Sequence, residues 1–416
     1  MESFTKPTLK HILAENGDSY LKDFGSEMRL IEQETLQKAL QCRTELNGYQ
    51  SYFCWKCGVV HKIRFSCKSR LCSKCGDKAN EIFAELFVRR MLPVTHRFIT
   101  FTVPDRLWEL FHSNLLLQQG LSIAAKNTLE KAMKMYLGKD VTPGCMNVLH
   151  NYGRDLKKNC HTHVISTEGG IDSNGKWVHF TYLPFEKRGR IHTTINEIWR
   201  DEVLEMLRLH LPRTQINHRF LIGLKKQYSN GFYVNSPKEC RIKTNRSLRN
   251  KAKYITRYVK HPVISDTRIT DYDGQDVKFW YQHPTTKEKR TVVMPVFEFI
   301  HAVLRHLPEK HFRSVTYYGL YSPNYPQKEQ IQTVFSLEGK TVDPLKLNWR
   351  EMVYLKTGRN PICCPICGRK MILVATVYWK NGDPITCYYL SIYDRMAIKY
   401  PDDEMWLSIK INSFAR

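Results

Sequence analysis

His161 and His163 stand two positions apart in the run HTHVISTEGG. If that run is extended, both imidazoles point to one face and can contact one ion, although surface histidines would satisfy the same spacing. Tyr254 and Tyr258, in KYITRYVK, are four apart, which on a helix places two phenolic hydroxyls on one side. Between Arg241 and Lys260 there are eight Lys/Arg residues and no Asp/Glu, so a polyphosphate brought to this surface would meet those hydroxyls. The chemistry these groups could do is coherent. A cation held by histidines polarises a phosphate, and a tyrosine oxygen attacks it, leaving a 5′-phosphotyrosine and a free 3′-hydroxyl. The phosphodiester is conserved rather than hydrolysed. A second tyrosine would let one hydroxyl hold a first strand while the other cuts a second.

The cysteines suggest separate metal chemistry. Cys54 and Cys57 form CWKC and Cys72 and Cys75 form CSKC, with fourteen residues between the pairs. Four soft thiolates from two tight turns favour tetrahedral zinc. Cys67 and His61 lie in the intervening stretch and could replace one of the four. Lys68 and Arg70 are among the cations around this knuckle and are its candidate DNA contacts. Cys363, Cys364 and Cys367 in ICCPICG resemble half of a further knuckle, a second zinc position near Cys364 and Cys367. Cys387 is the candidate to join it, and no fourth ligand is evident.

These groups must be positioned by a chain of 416 residues, enough for two or three domains, with a 42% hydrophobic fraction that supports buried cores. Sixty-four Lys+Arg against 40 Asp+Glu give a formal charge of +24, which predicts a polyanionic partner. The N-terminal residues lack the apolar core of a signal peptide and no run is long enough to span a membrane, so the expectation is a cytoplasmic protein, nucleoid-associated when bound to DNA. Neither GxGxxG nor GxxxxGK[ST] occurs, which argues against nucleotide binding.

Residues 1 to about 45 read as helical. His96 to Val103 alternates as a strand ended by Pro104, and helical sequence extends from about Asp105 through Tyr136. His161 to Thr167 and Trp177 to Leu183 are strand candidates that could pair. Thr194 with Glu197 forms a capping box that opens a helix ending near Pro212. A shorter helix over Leu248 to Val259 carries the tyrosines, with Lys251 and Arg257 as candidate phosphate contacts. Val263 to Thr270, Val277 to Tyr281 and Arg290 to Met294 read as strands, followed by helix from about Val296 to Leu307. The order predicts an α+β chain built on antiparallel hairpins.

The ordered series FCWKCG…SCKSRLCSKCG, HTHVISTEGG, KYITRYVKHPVISDTRITDYDG, FIHAVLRHLPEKHFRSVTYYG and CPICG resembles the two-tyrosine HUH transposases of bacterial rolling-circle insertion sequences. The resemblance covers most of residues 50–368. It implies an HUH-nuclease-like antiparallel sheet with packed helices, preceded by a zinc knuckle, and cleavage and joining of single-stranded ends. The family's metal-binding histidines fall on His161 and His163 and its tyrosines on Tyr254 and Tyr258, with Mg²⁺ or Mn²⁺ at the nuclease site. Thr162 stands where the family often has an apolar residue, and Asn159 where it commonly has a further histidine. The third ligand is then open among His150, Glu168 and Asn159. Arg268 could hold a phosphate or make a structural ion pair. Expected partners are transposon-end DNA with single-stranded and hairpin regions, target DNA, and a second copy of the chain as a homo-oligomer.

Four regions follow: an N-terminal helical region over 1–50, a zinc-binding DNA-contact domain over 51–90, a nuclease domain with the tyrosine helix over 91–315, and a C-terminal region over 316–416 with the second zinc knuckle. A plasmid relaxase or rolling-circle replication initiator would use the same chemistry, and a non-catalytic zinc-containing DNA-binding regulator is the non-enzymatic alternative.

Overall fold

The computed structural model describes residues 6–180, 192–236, 241–242, 250, 254, 262–283, 286–326, 331, 350–351, 353–354, 358–380 and 383–388. The chain divides into two compact units. The smaller joins Leu9–Lys78 to Lys346–Arg416, and the larger joins Met1–Thr8 to Ala79–Leu345.

The smaller unit opens with α1 (Leu9–Phe24) and α2 (Leu30–Leu40), then the hairpin β1 (Tyr49–Cys54) and β2 (Val59–Arg64). Helix α3 (Ser73–Arg90) carries the chain onward. The larger unit contains β3 (His96–Thr102), α4 (Trp108–His112), α5 (Leu115–Leu137), β4 (Val141–Tyr152), β5 (Lys158–Asp172), β6 (Trp177–His179), α6 (Ile195–His210), α7 (Gln215–Gln227), β7 (Val234–Asn235), β8 (Arg241–Ile242), β9 (Ile269–Tyr272), β10 (Asp276–Gln282), β11 (Lys289–Pro295), α8 (Val296–Leu304) and β12 (Val315–Gly319). The last strands, β13 (Ile372–Lys380) and β14 (Asp383–Tyr388), return to the smaller unit, where the sheet order is β14-β13-β1-β2.

The larger unit is built on a seven-stranded sheet ordered β12-β4-β5-β3-β7, with β6 beside β5 and β8 beside β3. Every pairing in it is antiparallel. One face is covered by α5 and α6: Leu117, Leu121, Ala125, Leu129, Trp199, Val203 and Leu207 bury against Ile99, Phe101, Leu149 and Val164. Each large apolar side chain buried here contributes roughly 1.5–3 kcal/mol. The start of α6 is fixed by the capping box, Thr194 Oγ1 accepting from the Glu197 N–H while a Glu197 carboxylate oxygen accepts from the Thr194 N–H. On the other face Phe98, Met146, Val148 and Ile165 form a smaller cluster with Ala84 and Phe87 of α3, and Tyr254 packs on it.

Sequence and structure diverge at instructive places. Strand β4 carries no alternation because it is buried on both faces, and Pro143-Gly144 interrupt it at a register shift. The predicted strand at Val263 begins only at Ile269, after a 3₁₀ turn over Asp266–Arg268. Of the expected tyrosine helix, Asn250 and Tyr254 are described and helical, whereas Tyr258, Lys251 and Arg257 lie outside the described residues. No helix among the described residues is long and apolar enough to cross a membrane.

Candidate active site and metal centres

Strands β4 and β5 form a hairpin whose turn, residues 153–157, is closed by the Gly153 N–H donating to the Lys157 carbonyl at 2.8 Å. Its register sets His150 directly opposite His161 and Val148 opposite His163, while β3 places Thr100 beside His163. Strand alternation then puts His150, His161 and His163 on one face, the face of the Phe98 cluster. Thr162 points the other way, buried, with its hydroxyl donating to the Val148 carbonyl.

The three imidazoles converge. His150 Nδ1 and His161 Nε2 are 3.2 Å apart, and the three ligand atoms lie within 4.8 Å of one another. Neighbouring nitrogens around a first-row or Mg²⁺-sized ion with bonds of about 2.0–2.1 Å would stand about 3 Å apart, so the spacing suits one cation. Outer contacts orient the rings: His161 Nδ1 donates to the Asn159 carbonyl at 2.9 Å, and His163 Nδ1 is 2.9 Å from Thr100 Oγ1, leaving Nε2 available on each. Burial pushes the His161 pKa down to about 4, and burial, then the charges of His161 and Arg154, hold His163 well below the usual histidine range. Both are therefore neutral near pH 7, the form that ligates metal. Of the three candidates for the third position, His150 is the one whose ring stands with His161 and His163 in a group that could hold a metal ion. Glu168, the acidic alternative, is buried in a pair with Arg97 at 2.7 Å, while the Asn159 backbone carbonyl accepts from His161 and its buried side-chain oxygen has no hydrogen-bond partner.

Tyr254 stands beside this triad. Its ring centroid is 6.4 Å from that of His163 and 6.1 Å from Phe98, whose ring stacks on His163 at 5.1 Å. Arg154, in the β4–β5 turn, donates from Nη2 to the Tyr254 hydroxyl at 3.3 Å, with its guanidinium 5.6 Å from the ring centroid. Arg268, open from sequence between a phosphate contact and a structural ion pair, makes two backbone contacts: Nη2 donates to the Arg154 carbonyl at 2.5 Å and Nε to the Trp280 carbonyl at 2.7 Å. It fixes the turn that carries Arg154. Sequence reasoning missed Arg154, for which a lone arginine in a polar turn gives no signal.

The cysteines assemble differently from the expectation of one site. Cys54 and Cys57 face Cys364 and Cys367, while Cys72 and Cys75 face Cys42 and Cys67. The reason is the hairpin: Cys54 pairs with Val59 at its turn, and Tyr49 pairs with Arg64 at the far end. Six residues of β2 carry the chain about 20 Å away from the first knuckle before Cys67 is reached. Cys387 is exposed and outside both groups. In the first group Cys54 and Cys367 sulfurs are 3.5 Å apart and Cys57 and Cys364 sulfurs 4.0 Å; in the second, Cys42 lies 3.6 Å from Cys75 and 3.8 Å from Cys72. Sulfurs bonded tetrahedrally at about 2.3 Å would be about 3.8 Å apart, so both sets fit that geometry. Thiols this crowded share protons unequally: Cys57 is pushed up to about 12 by its contact with Cys367 and by burial, while backbone N–H donation lowers Cys367 to about 7. A dication would let all four ionise. CWKCG and CPICG are matching knuckles, each closed by a glycine N–H donating to the first cysteine's carbonyl, Gly58 to Cys54 and Gly368 to Cys364, with φ of 67° and 70°. Cys72 to Gly76 (CSKCG) repeats the pattern, with the Gly76 N–H donating to the Cys72 carbonyl at 2.8 Å, so the motif alone does not select the partner knuckle. Lys68 is exposed and Arg70 half-buried beside the second group.

Residues 144–329 match a family described as a putative transposase, and residues 12–103 match one described as a transposase zinc-binding domain. The transposase for insertion sequence element IS801 of Pseudomonas savastanoi pv. phaseolicola is 27% identical over 385 residues, spanning 90% of this chain and 91% of that protein. These matches and the histidine cluster support a rolling-circle transposase of the HUH type. No solved structure matches it. The transposase is thus an enzyme acting on DNA, and its histidine cluster is a metal-binding site of the kind HUH chemistry uses.

Proposed function

We propose that this transposase cleaves and rejoins single-stranded transposon ends through a 5′-phosphotyrosine on Tyr254, with Mg²⁺ or Mn²⁺ held by His150, His161 and His163. The observation that supports this best is the Tyr254 ring, 6.4 Å from His163, with its hydroxyl hydrogen-bonded to Arg154. The cation supplies charge stabilisation at the scissile phosphate. Tyr254 Oη attacks phosphorus as its proton passes to water, the bond from phosphorus to the 3′-oxygen breaks, and that oxygen takes up a proton from water to become the 3′-hydroxyl. Arg154, hydrogen-bonded to the Tyr254 hydroxyl, is placed to accompany the phosphate that this oxygen becomes bonded to. Tyr258, one helical turn away by spacing, is proposed as the second nucleophile that lets a second strand be cut before the first is released. Residues 91–315 carry this chemistry, and zinc is proposed in both four-cysteine groups, with Lys68 and Arg70 contacting end or target DNA. A protein so engaged would sit on the nucleoid.

Incubation with labelled single-stranded ends and Mg²⁺ or Mn²⁺, followed by denaturing separation and peptide mapping, tests the assignment. Tyr254→Phe together with Tyr258→Phe removes the covalent adduct and leaves DNA binding largely intact. An adduct that persists in the double variant rejects both nucleophiles.

A further inference from the structure

The sheet β9–β10–β11 has two unlike faces. Val277 and Phe279 of β10 point inward, where Phe279 packs on Phe299 of α8 at 5.8 Å between ring centroids. Lys278 and Trp280 alternate onto the opposite face, joined across the ladder by Val293 and Thr291 of β11, with Lys289 next to them opposite Gln282. Lys278, Lys289 and Thr291 are exposed, and Val293 is 60% exposed. Trp280 is held in place. Its Nε1 donates to the Thr267 carbonyl at 3.3 Å, and Lys289 Nζ sits 4.7 Å from its ring centroid.

The face is also polar along its length. Asp273 and Asp276 lie at the β9–β10 turn and Asp271 pairs across the ladder with Lys278, whereas Lys289 stands at the Trp280 end and Lys6 Nζ donates to the same Thr267 carbonyl at 3.2 Å. That basic end is the one tied to the active site, because the single Arg268 guanidinium spans the Trp280 and Arg154 carbonyls, and Arg154 touches Tyr254. A rigid aromatic ring on an open sheet face, flanked by cations, suits an unpaired base and its phosphates. A duplex offers no free base face to stack.

We propose that this face is a single-strand shelf, with Trp280 stacking a base of the strand being processed and Lys278 and Lys289 contacting its phosphates, so that the chain is led toward Tyr254. The inference rests on the single-strand reading of the substrate given above. The test is binding of full-length, zinc-loaded protein to a labelled oligothymidylate and to a duplex of equal length, without added Mg²⁺ or Mn²⁺, so that no cleavage contributes. Trp280→Ala should weaken oligothymidylate binding about tenfold and Trp280→Phe should restore most of it, because stacking tolerates exchange of one aromatic for another. Duplex binding should change less than about twofold. Lys278→Ala and Lys289→Ala should each reduce the slope of log affinity against log salt by about 0.7. Photocrosslinking of an iodouracil-substituted oligonucleotide should map to the peptide holding Trp280. Unchanged single-strand affinity in Trp280→Ala, or an equal loss on duplex, overturns the shelf. A missing tyrosine adduct with intact Trp280 effects would instead overturn the phosphotyrosine reading and leave the shelf standing.

Discussion

Two metal-binding constellations in this chain are reached by opposite routes. His150, His161 and His163 come from one hairpin and lie within a few residues of a single turn, so the register of β4 on β5 nearly builds the site by itself. Cys54 and Cys57 meet Cys364 and Cys367 across a sequence separation of 313 residues for Cys54 and Cys367. Closing a loop of that length costs about 5 kcal/mol of chain entropy, against which metal binding of about 10–16 kcal/mol for structural zinc can prevail. The ladder of β1 on β13 and the cluster of Tyr52, Ile362, Met371 and Leu373 share the work, and Arg369 lies 4.7 Å over the Trp55 ring between the two knuckles. A site made locally can be devoted to chemistry. A site made from distant segments is a clasp.

The largest effect should therefore come from the clasp. Cys364→Ser is expected to remove one of two zinc equivalents by native mass spectrometry and to expose the segment around Ile372–Tyr388 to protease, with a loss of several kcal/mol in the stability of the smaller unit. Retention of both equivalents would show that the sulfurs near Cys54 do not hold metal. His161→Ala with His163→Ala should do the converse. Strand cleavage should fall by about a thousandfold or more while both zinc equivalents and the melting temperature of the smaller unit are unchanged, since the pair belongs to a separate local site. Undiminished cleavage in that variant would remove the histidine site from the mechanism.

An intermediate effect is expected at a buried histidine that ligates nothing. His96 Nε2 and the Tyr321 hydroxyl lie 2.5 Å apart, and burial pushes the His96 pKa down to about 4. The unfolded chain then binds a proton the folded one refuses. This contribution to stability is full above the ordinary histidine value near 6.5 and declines as pH falls from there toward 4, by a few kcal/mol in total. Thermal melts between pH 7 and pH 4 should lose about one proton of linkage in His96→Gln, which cannot titrate. A slope identical to that of the unchanged chain would mean that His96 is not the proton acceptor.

The same contrast explains what could be read without a structure. The His161/His163 dyad, the Thr194 capping box and the strand at His96 are statements about neighbours in sequence, and alternation or turn chemistry encodes them directly. His150 was one of three candidates for the third ligand and the sequence did not rank them, because β4 is buried on both sides and so hides its period. The partners of Cys54 and Cys72 were misjudged for a related reason. Spacing along the chain brought the two pairs together, whereas the β1–β2 ladder stands between them. Arg268 acts through two backbone carbonyls and Arg154 through one hydroxyl, contacts that no residue pattern announces.

The smallest effect should fall between the two histidines. Thr162 is fully buried on the α5–α6 side of the sheet, donating to the Val148 carbonyl at 3.3 Å. Thr162→Val deletes a neutral hydrogen bond with a net value of about 0.5–1.5 kcal/mol and adds a methyl group to an apolar environment, so the two changes largely offset. Stability should shift by at most about 1 kcal/mol. Metal affinity, measured by Mn²⁺ titration, should stay within about twofold, because strand alternation turns this side chain away from the ion. A tenfold loss of Mn²⁺ affinity would mean that the face assigned to the histidines is wrong, and with it the placement of Tyr254 beside them.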